Sequence, residues 1–91
     1  MSTLRKYTRR KKIKVTHKKL WREQCVGTAD FSTFEIEIDP RQSSKQYLDT
    51  LIHEMLHLYN PDWSETRVLE TANEMTRVIW KFIKEKLILP Y

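Results

Sequence analysis

The sequence predicts an α+β domain: a small N-terminal β-sheet of two to three strands, followed by an antiparallel pair of helices. Three observations carry this. Phe34-Glu35-Ile36-Glu37-Ile38 alternates apolar and acidic residues, the period of a strand with one face buried. Leu48, Ile52, Met55 and Tyr59 recur at helical spacing, and so do Val68, Ala72, Met75, Ile79, Phe82 and Ile83 further on. A short link, Asn60-Pro61-Asp62, separates the two stripes, so the helices must fold back on each other.

Residues 1–10 are polar, charged and without period, and are expected to be a disordered arm; 11–91 form a single domain. From Lys12, Ile13 and Val15 alternate with Lys14 and Thr16, a first short strand. Gly27, the single glycine, lies in Val26-Gly27-Thr28-Ala29-Asp30, which reads as a turn. The Phe34–Ile38 strand ends at Asp39-Pro40. Ser43 or Ser44 opens the first helix, and Ser43 with Gln46 has capping-box spacing; the helix runs to about Tyr59. Ser64 caps a second helix from Glu65 to about Leu87. Trp63 and Trp80 read as core or hinge residues, and the apolar end Leu87-Ile88-Leu89-Pro90-Tyr91 as packing against the core.

The charge is divided unevenly. Residues 1–22 hold ten Lys/Arg and no acid, while the remaining 69 residues hold seven bases and all twelve acids. A +10 arm on a mildly acidic body can engage nucleic acid, solubilise the chain or lie against that body. The one cysteine, Cys25, allows no internal disulfide and has no second Cys at ligand spacing, so it reads as a packed thiol in a reducing compartment. With no apolar run after the basic N-terminus, neither a signal peptide nor a membrane span is expected, and the cytoplasm is the default location.

The chemistry is concentrated in His53-Glu54-Met55-Leu56-His57. Side chains at i and i+4 share one helix face a turn apart, so His53 and His57 can reach one zinc ion. Zinc lowers the pKa of a bound water toward ~7, and Glu54, beside rather than on the metal, is placed to take its proton. Both histidines border the core stripe without being central to it, as the floor of a cleft would require. A site of this kind needs a third protein ligand and an open fourth position. With Val68 at zero and about 100° per residue, the apolar arc of the second helix spans about −40° to 120°. Glu65 falls near about 60°, inside the arc; Glu70 and Glu74 point outward. An acid on an apolar face needs a partner, which favours Glu65 as the third ligand, with Asp62 second and Glu70 third.

These residues carry a resemblance. Gly27-Thr28-Ala29-Asp30, then Phe34 to Asp39, then Tyr47-Leu48-Asp49-Thr50-Leu51-Ile52-His53-Glu54-Met55-Leu56-His57, resemble small gluzincin-type zinc metallopeptidases: the ImmA/IrrE-like and SprT-like groups and the minigluzincins. Asn60-Pro61-Asp62-Trp63-Ser64-Glu65 looks like short domains of phage and mobile-element origin. The resemblance spans residues 27–87. It implies a minimal zincin-like domain with one Zn2+ per chain, His53, His57 and a glutamate as ligands, Glu54 as general base, and a protein or peptide substrate. SprT-like proteins use a third histidine, and none follows His57. In zincin-like folds the substrate lies as an extra strand along a sheet edge, for which Phe34–Ile38 and Lys12–Thr16 are the candidates here. His17, Tyr59 and Tyr91 are candidates to stabilise an oxyanion, each more easily read as structural.

The leading expectation is therefore a zinc-dependent peptidase, monomeric or weakly dimeric. The alternatives are a nucleic-acid-associated module using the basic arm 1–22, and a non-catalytic interaction protein that keeps its zinc for structure.

Overall fold

The computed structural model describes residues 12–20 and 26–87. Three strands come first: β1 (Lys14–His17), β2 (Gly27–Asp30) and β3 (Glu35–Ile38). Two helices follow, α1 (Ser44–Tyr59) and α2 (Glu65–Phe82), and a π-helical stretch (Ile83–Leu87) continues α2. The strand order is β1-β3-β2. β1 runs parallel to β3 with Val15 opposite Ile36, and β2 runs antiparallel with Ala29 opposite Ile36. The α+β prediction, a small N-terminal sheet and then a helix pair, is what the chain forms.

β3 is central because it carries the strongest alternation. Ile36 and Ile38 are fully buried and form the core with Leu58, packed round by Ile13, Ala29, Phe34, Tyr47, Leu51 and Met55. Glu35 and Glu37 stand beside Lys14 and Lys18 of the β1 segment at 3.7 and 3.9 Å, so two lysines of the basic stretch lie against the domain's own acids. These are solvent-exposed pairs and contribute little to stability.

Of residues 26–30, which read as a turn in the sequence, 27–30 form β2 instead. The segment has no alternation of its own, and its strand geometry comes from pairing with β3, a tertiary effect. The turn lies one step later, at 31–34. Asp30 builds it: its carboxylate accepts from Ser32 N–H, Ser32 Oγ and Thr33 N–H, which holds its pKa below the ordinary value. Phe34 N–H closes onto the Asp30 carbonyl at 2.7 Å, and Phe34 takes a left-handed φ of 60°.

The helix starts follow local chemistry. Ser43 caps α1 with the full capping box: Gln46 N–H donates to Ser43 Oγ, and Ser43 N–H to Gln46 Oε1. Ser64 Oγ accepts from Arg67 N–H at the start of α2, and the Arg67 guanidinium stacks 4.0 Å over the ring of half-buried Trp63. The helices are antiparallel, because Glu65 meets His53 and His57 while Thr76 Oγ1, eleven residues on, donates back to Asp49 Oδ1. Ile52, Val68 and Ala72 are buried. Tyr59, expected in the core, is largely exposed and meets Phe34 edge-on, and Leu58 is buried in its stead. Met75 and Phe82, also expected in the core, are exposed, while Thr76 is buried. Among the described residues no helix is long and apolar enough to cross a membrane. The expected arm 1–10, Cys25 and the tail 88–91 lie outside the described residues.

A buried carboxylate ties the sheet to the approach to α1. Asp39 accepts from Leu20 N–H, from Arg41 N–H and from the Arg41 guanidinium, which is the main cause of its strongly depressed pKa. A depressed carboxyl stabilises the fold above the unfolded-chain pKa of ~3.9, and this contribution disappears as pH falls toward the folded value. Asp39→Ala is therefore expected to lower the melting temperature at neutral pH and to flatten its fall between about pH 4 and pH 2. Thermal melts across that range test this; parallel curves for the two proteins would contradict it.

Candidate metal centre

Helix α1 supplies the site's floor. Its last two turns place His53 and His57 one above the other, with ring centroids 4.9 Å apart. The Asn60–Ser64 link reverses the chain, with Trp63 N–H bonded to the Asn60 carbonyl, and delivers Glu65 as the first residue of α2. Glu65 Oε2 stands 3.0 Å from His53 Nε2, and Oε1 stands 2.9 Å from His57 Nε2. One ligating atom from each of the three residues lies within 4.8 Å of the others, so the group can hold a metal ion.

The donor set fits such an ion. Three donor groups whose ligating atoms lie this near one another can close on a single ion at about 2.0–2.2 Å from each. Two imidazoles and one carboxylate suit a borderline cation, whereas a hard cation would call for oxygen ligands throughout. Among the described residues this is the group assembled in this way, and neither Asp62 nor Glu70 joins it.

The sequence favours Glu65 as the third ligand because the helical wheel sets this acid on a buried face. That reason does not hold: its side chain is 67% exposed, against 16% for His53 and 30% for His57. The first turn of α2 projects past the core, so Glu65 meets the histidines from the solvent side. Its position at a helix start also favours its negative charge.

Glu54 sits deeper. Burial raises its carboxyl pKa above the ordinary value, opposed by attraction to His53 and His57 and reinforced by the Glu65 charge. It shares a cleft of about 420 Å³ with the two histidines and Glu65, walled by Val26 and Gly27 on one side and Leu69 on the other. A second cavity, of about 240 Å³, also reaches Glu54 and His57, from the side of Ala29, Phe31 and Pro61. β2 thus runs past the site, with a cavity at each end. It is an outer strand, whereas Phe34–Ile38, proposed from the sequence as a substrate edge, contains the central strand. Of the candidate oxyanion partners, His17 is bonded to the Tyr47 hydroxyl at 2.6 Å and Tyr59 packs on Phe34; Tyr91 lies outside the described residues.

Gly27 is a site residue that the sequence reading missed. A Cβ there would stand 2.5 Å from Thr50 Cγ2 and 3.3 Å from both Cγ and Oε2 of Glu54. Thr50 cannot easily give way: it is buried, β-branched, and tied through its hydroxyl to Gln42 Oε1 at 2.7 Å. The absence of a side chain is what lets β2 lie directly against the Glu54 turn of α1. The available signal was that the chain spends its one glycine here. Gly27→Ala is expected to cost about 1–3 kcal/mol by overpacking, read as a lower midpoint in denaturant unfolding. An unchanged midpoint would show that the strand can retreat freely.

Compared with family models, with curated proteins and with solved structures, the chain matches none.

Proposed function

We propose that this chain is a zinc-dependent peptidase, with His53, His57 and Glu65 as metal ligands and Glu54 as general base. The observation that carries the reading is the convergence of the His53, His57 and Glu65 donors beside a separate, half-buried carboxylate that is not one of them. A purely structural metal site gives Glu54 no duty. Structural zinc sites close with four protein ligands, whereas three donors assemble among the described residues and the cleft stays open.

When bound, zinc supplies Lewis acidity and makes water acidic enough to lose a proton near neutral pH. The chain's own residues do the rest. His53 and His57 hold the metal from the rigid floor of α1, and Glu65 completes the ligand set from α2. Glu54 accepts a proton from the attacking water and returns it to the departing amine. The raised pKa of its carboxyl suits both halves of that task. β2 is an outer strand that runs beside the cleft, a place that suits an extended peptide, which favours a polypeptide substrate over a small molecule.

The test is metal titration followed by a cleavage assay. Purified protein is expected to take up one zinc per chain, to cleave an unstructured protein such as casein, and to lose that activity on chelation. No uptake at all would remove the metal reading; uptake without cleavage of any unfolded substrate would remove the peptidase reading.

A further inference from the structure

Helix α2 is apolar over a wider arc than α1 can cover. With Val68 at zero and about 100° per residue, the buried residues Val68, Ala72 and Thr76 and half-buried Ile79 and Ile83 span about 0° to 80°. Met75, Val78 and Phe82 lie on the next sector, from about −20° to −80°. They are 40, 50 and 54% exposed. Glu65, near about 60°, and Leu69, near about 100°, both line the metal cleft, and neither lies in that exposed sector.

The exposed sector has a regular spacing. Thr71, Met75, Val78 and Phe82 follow one another at intervals of four, three and four residues, the spacing of a seam between two supercoiled helices. Beside the seam, on the side away from α1, stand Glu74 and Lys81, both exposed and seven residues apart. Glu74 already bonds Arg77 within its own helix, and a carboxylate has lone pairs for a second cation.

We infer that a second copy of this chain docks on this face, α2 against α2, antiparallel about a two-fold axis. The register follows from the seam. Setting Met75 against Val78 of the second copy, and Phe82 against its small Thr71, fills all four positions. The same register brings Glu74 beside Lys81 of the second copy, and by symmetry Lys81 beside its Glu74, with no further adjustment. A parallel pairing would set Glu74 toward Ile79 of the other copy and has no such complement. The result is a four-helix layer, α1-α2-α2-α1, with both metal clefts facing away from the interface. Three apolar side chains per copy make a small contact, so the dimer is weak and its population depends on concentration.

Sedimentation of the full chain over a series of concentrations reaching the millimolar range tests this. The wild type is expected to pass from monomer to dimer, and Val78→Asp to remain monomeric. Glu74→Lys and Lys81→Glu, each of which creates two like-charge pairs across the axis, are expected to weaken the dimer about tenfold. The double variant is expected to restore it. Because all three positions are exposed, the variants should keep wild-type circular dichroism and zinc stoichiometry, which separates a failed interface from a failed fold. A monomer at every concentration, a dimer indifferent to Val78→Asp, or a double variant no better than the singles would overturn the inference.

Discussion

His57→Ala is expected to lower zinc affinity by about 4 kcal/mol, roughly a thousandfold, on the basis that one of three ligands carries about a third of a binding energy of ~10–16 kcal/mol. The same loss is expected for His53→Ala. Glu65→Ala should lose less, because its exposed carboxylate is well solvated before it binds and less held in place by packing. The competing account of this cluster is an ion pair, with each imidazole donating Nε2–H to Glu65. The two accounts differ in what zinc does. A partly exposed His-Glu pair is worth about 0–1 kcal/mol, so on that account either substitution shifts the melting temperature slightly and added zinc shifts nothing. A metal centre makes the wild-type melting temperature rise with free zinc and leaves that of His57→Ala nearly flat. Calorimetric titration gives the affinities directly. A variant that binds zinc as tightly as the wild type would remove His57 from the ligand set.

Structure that is set by neighbours along the chain is legible in the sequence. The Ser43-Gln46 capping box, the Ser64 cap and the i, i+4 placement of His53 and His57 are local, and all three stand in the fold as expected. Structure set by contacts from elsewhere is not legible in this way. Residues 26–30 look like a turn because nothing in their own order makes a strand; β3 supplies the missing hydrogen bonds, and α1 the reason for Gly27. A helical wheel ranks residues by direction but does not say how wide a partner is. Met75 and Phe82 therefore looked like core when α1 covers only part of the arc. Glu65 is the instructive case: the wheel selected the residue that meets both histidines, yet for a buried position it does not occupy. Its partnership comes from the short Asn60–Ser64 reversal, which sets the first turn of α2 over the last turns of α1.

Glu54→Gln is expected to separate binding, catalysis and stability. Its carboxylate is not among the three donor groups that converge, so zinc affinity should stay within a few-fold of wild type. Cleavage should fall by about a hundredfold to ten-thousandfold, the usual contribution of a positioned general base, because an amide cannot take up the water's proton. Folding of the chelated protein should move the other way. Burial raises the carboxyl pKa in the folded chain above the unfolded value of ~4.3, so the folded state keeps its proton to higher pH than the unfolded state does. The wild type therefore loses stability as pH rises from the unfolded value to the folded one, and above it bears the full cost of an ionised, half-buried carboxylate. Glutamine has no such charge. The variant should melt at or above the wild-type temperature at pH 7, and the advantage should vanish near pH 4, where both side chains are neutral. Melts with chelator across that range and a cleavage assay with zinc supply both readings. Residual cleavage at the wild-type rate would remove Glu54 as the base. A variant less stable than wild type at pH 7 would mean that the carboxylate is held by hydrogen bonds that outweigh its burial. A gain in stability together with a loss of cleavage is what distinguishes a carboxylate kept in a costly place for its chemistry from one kept for packing.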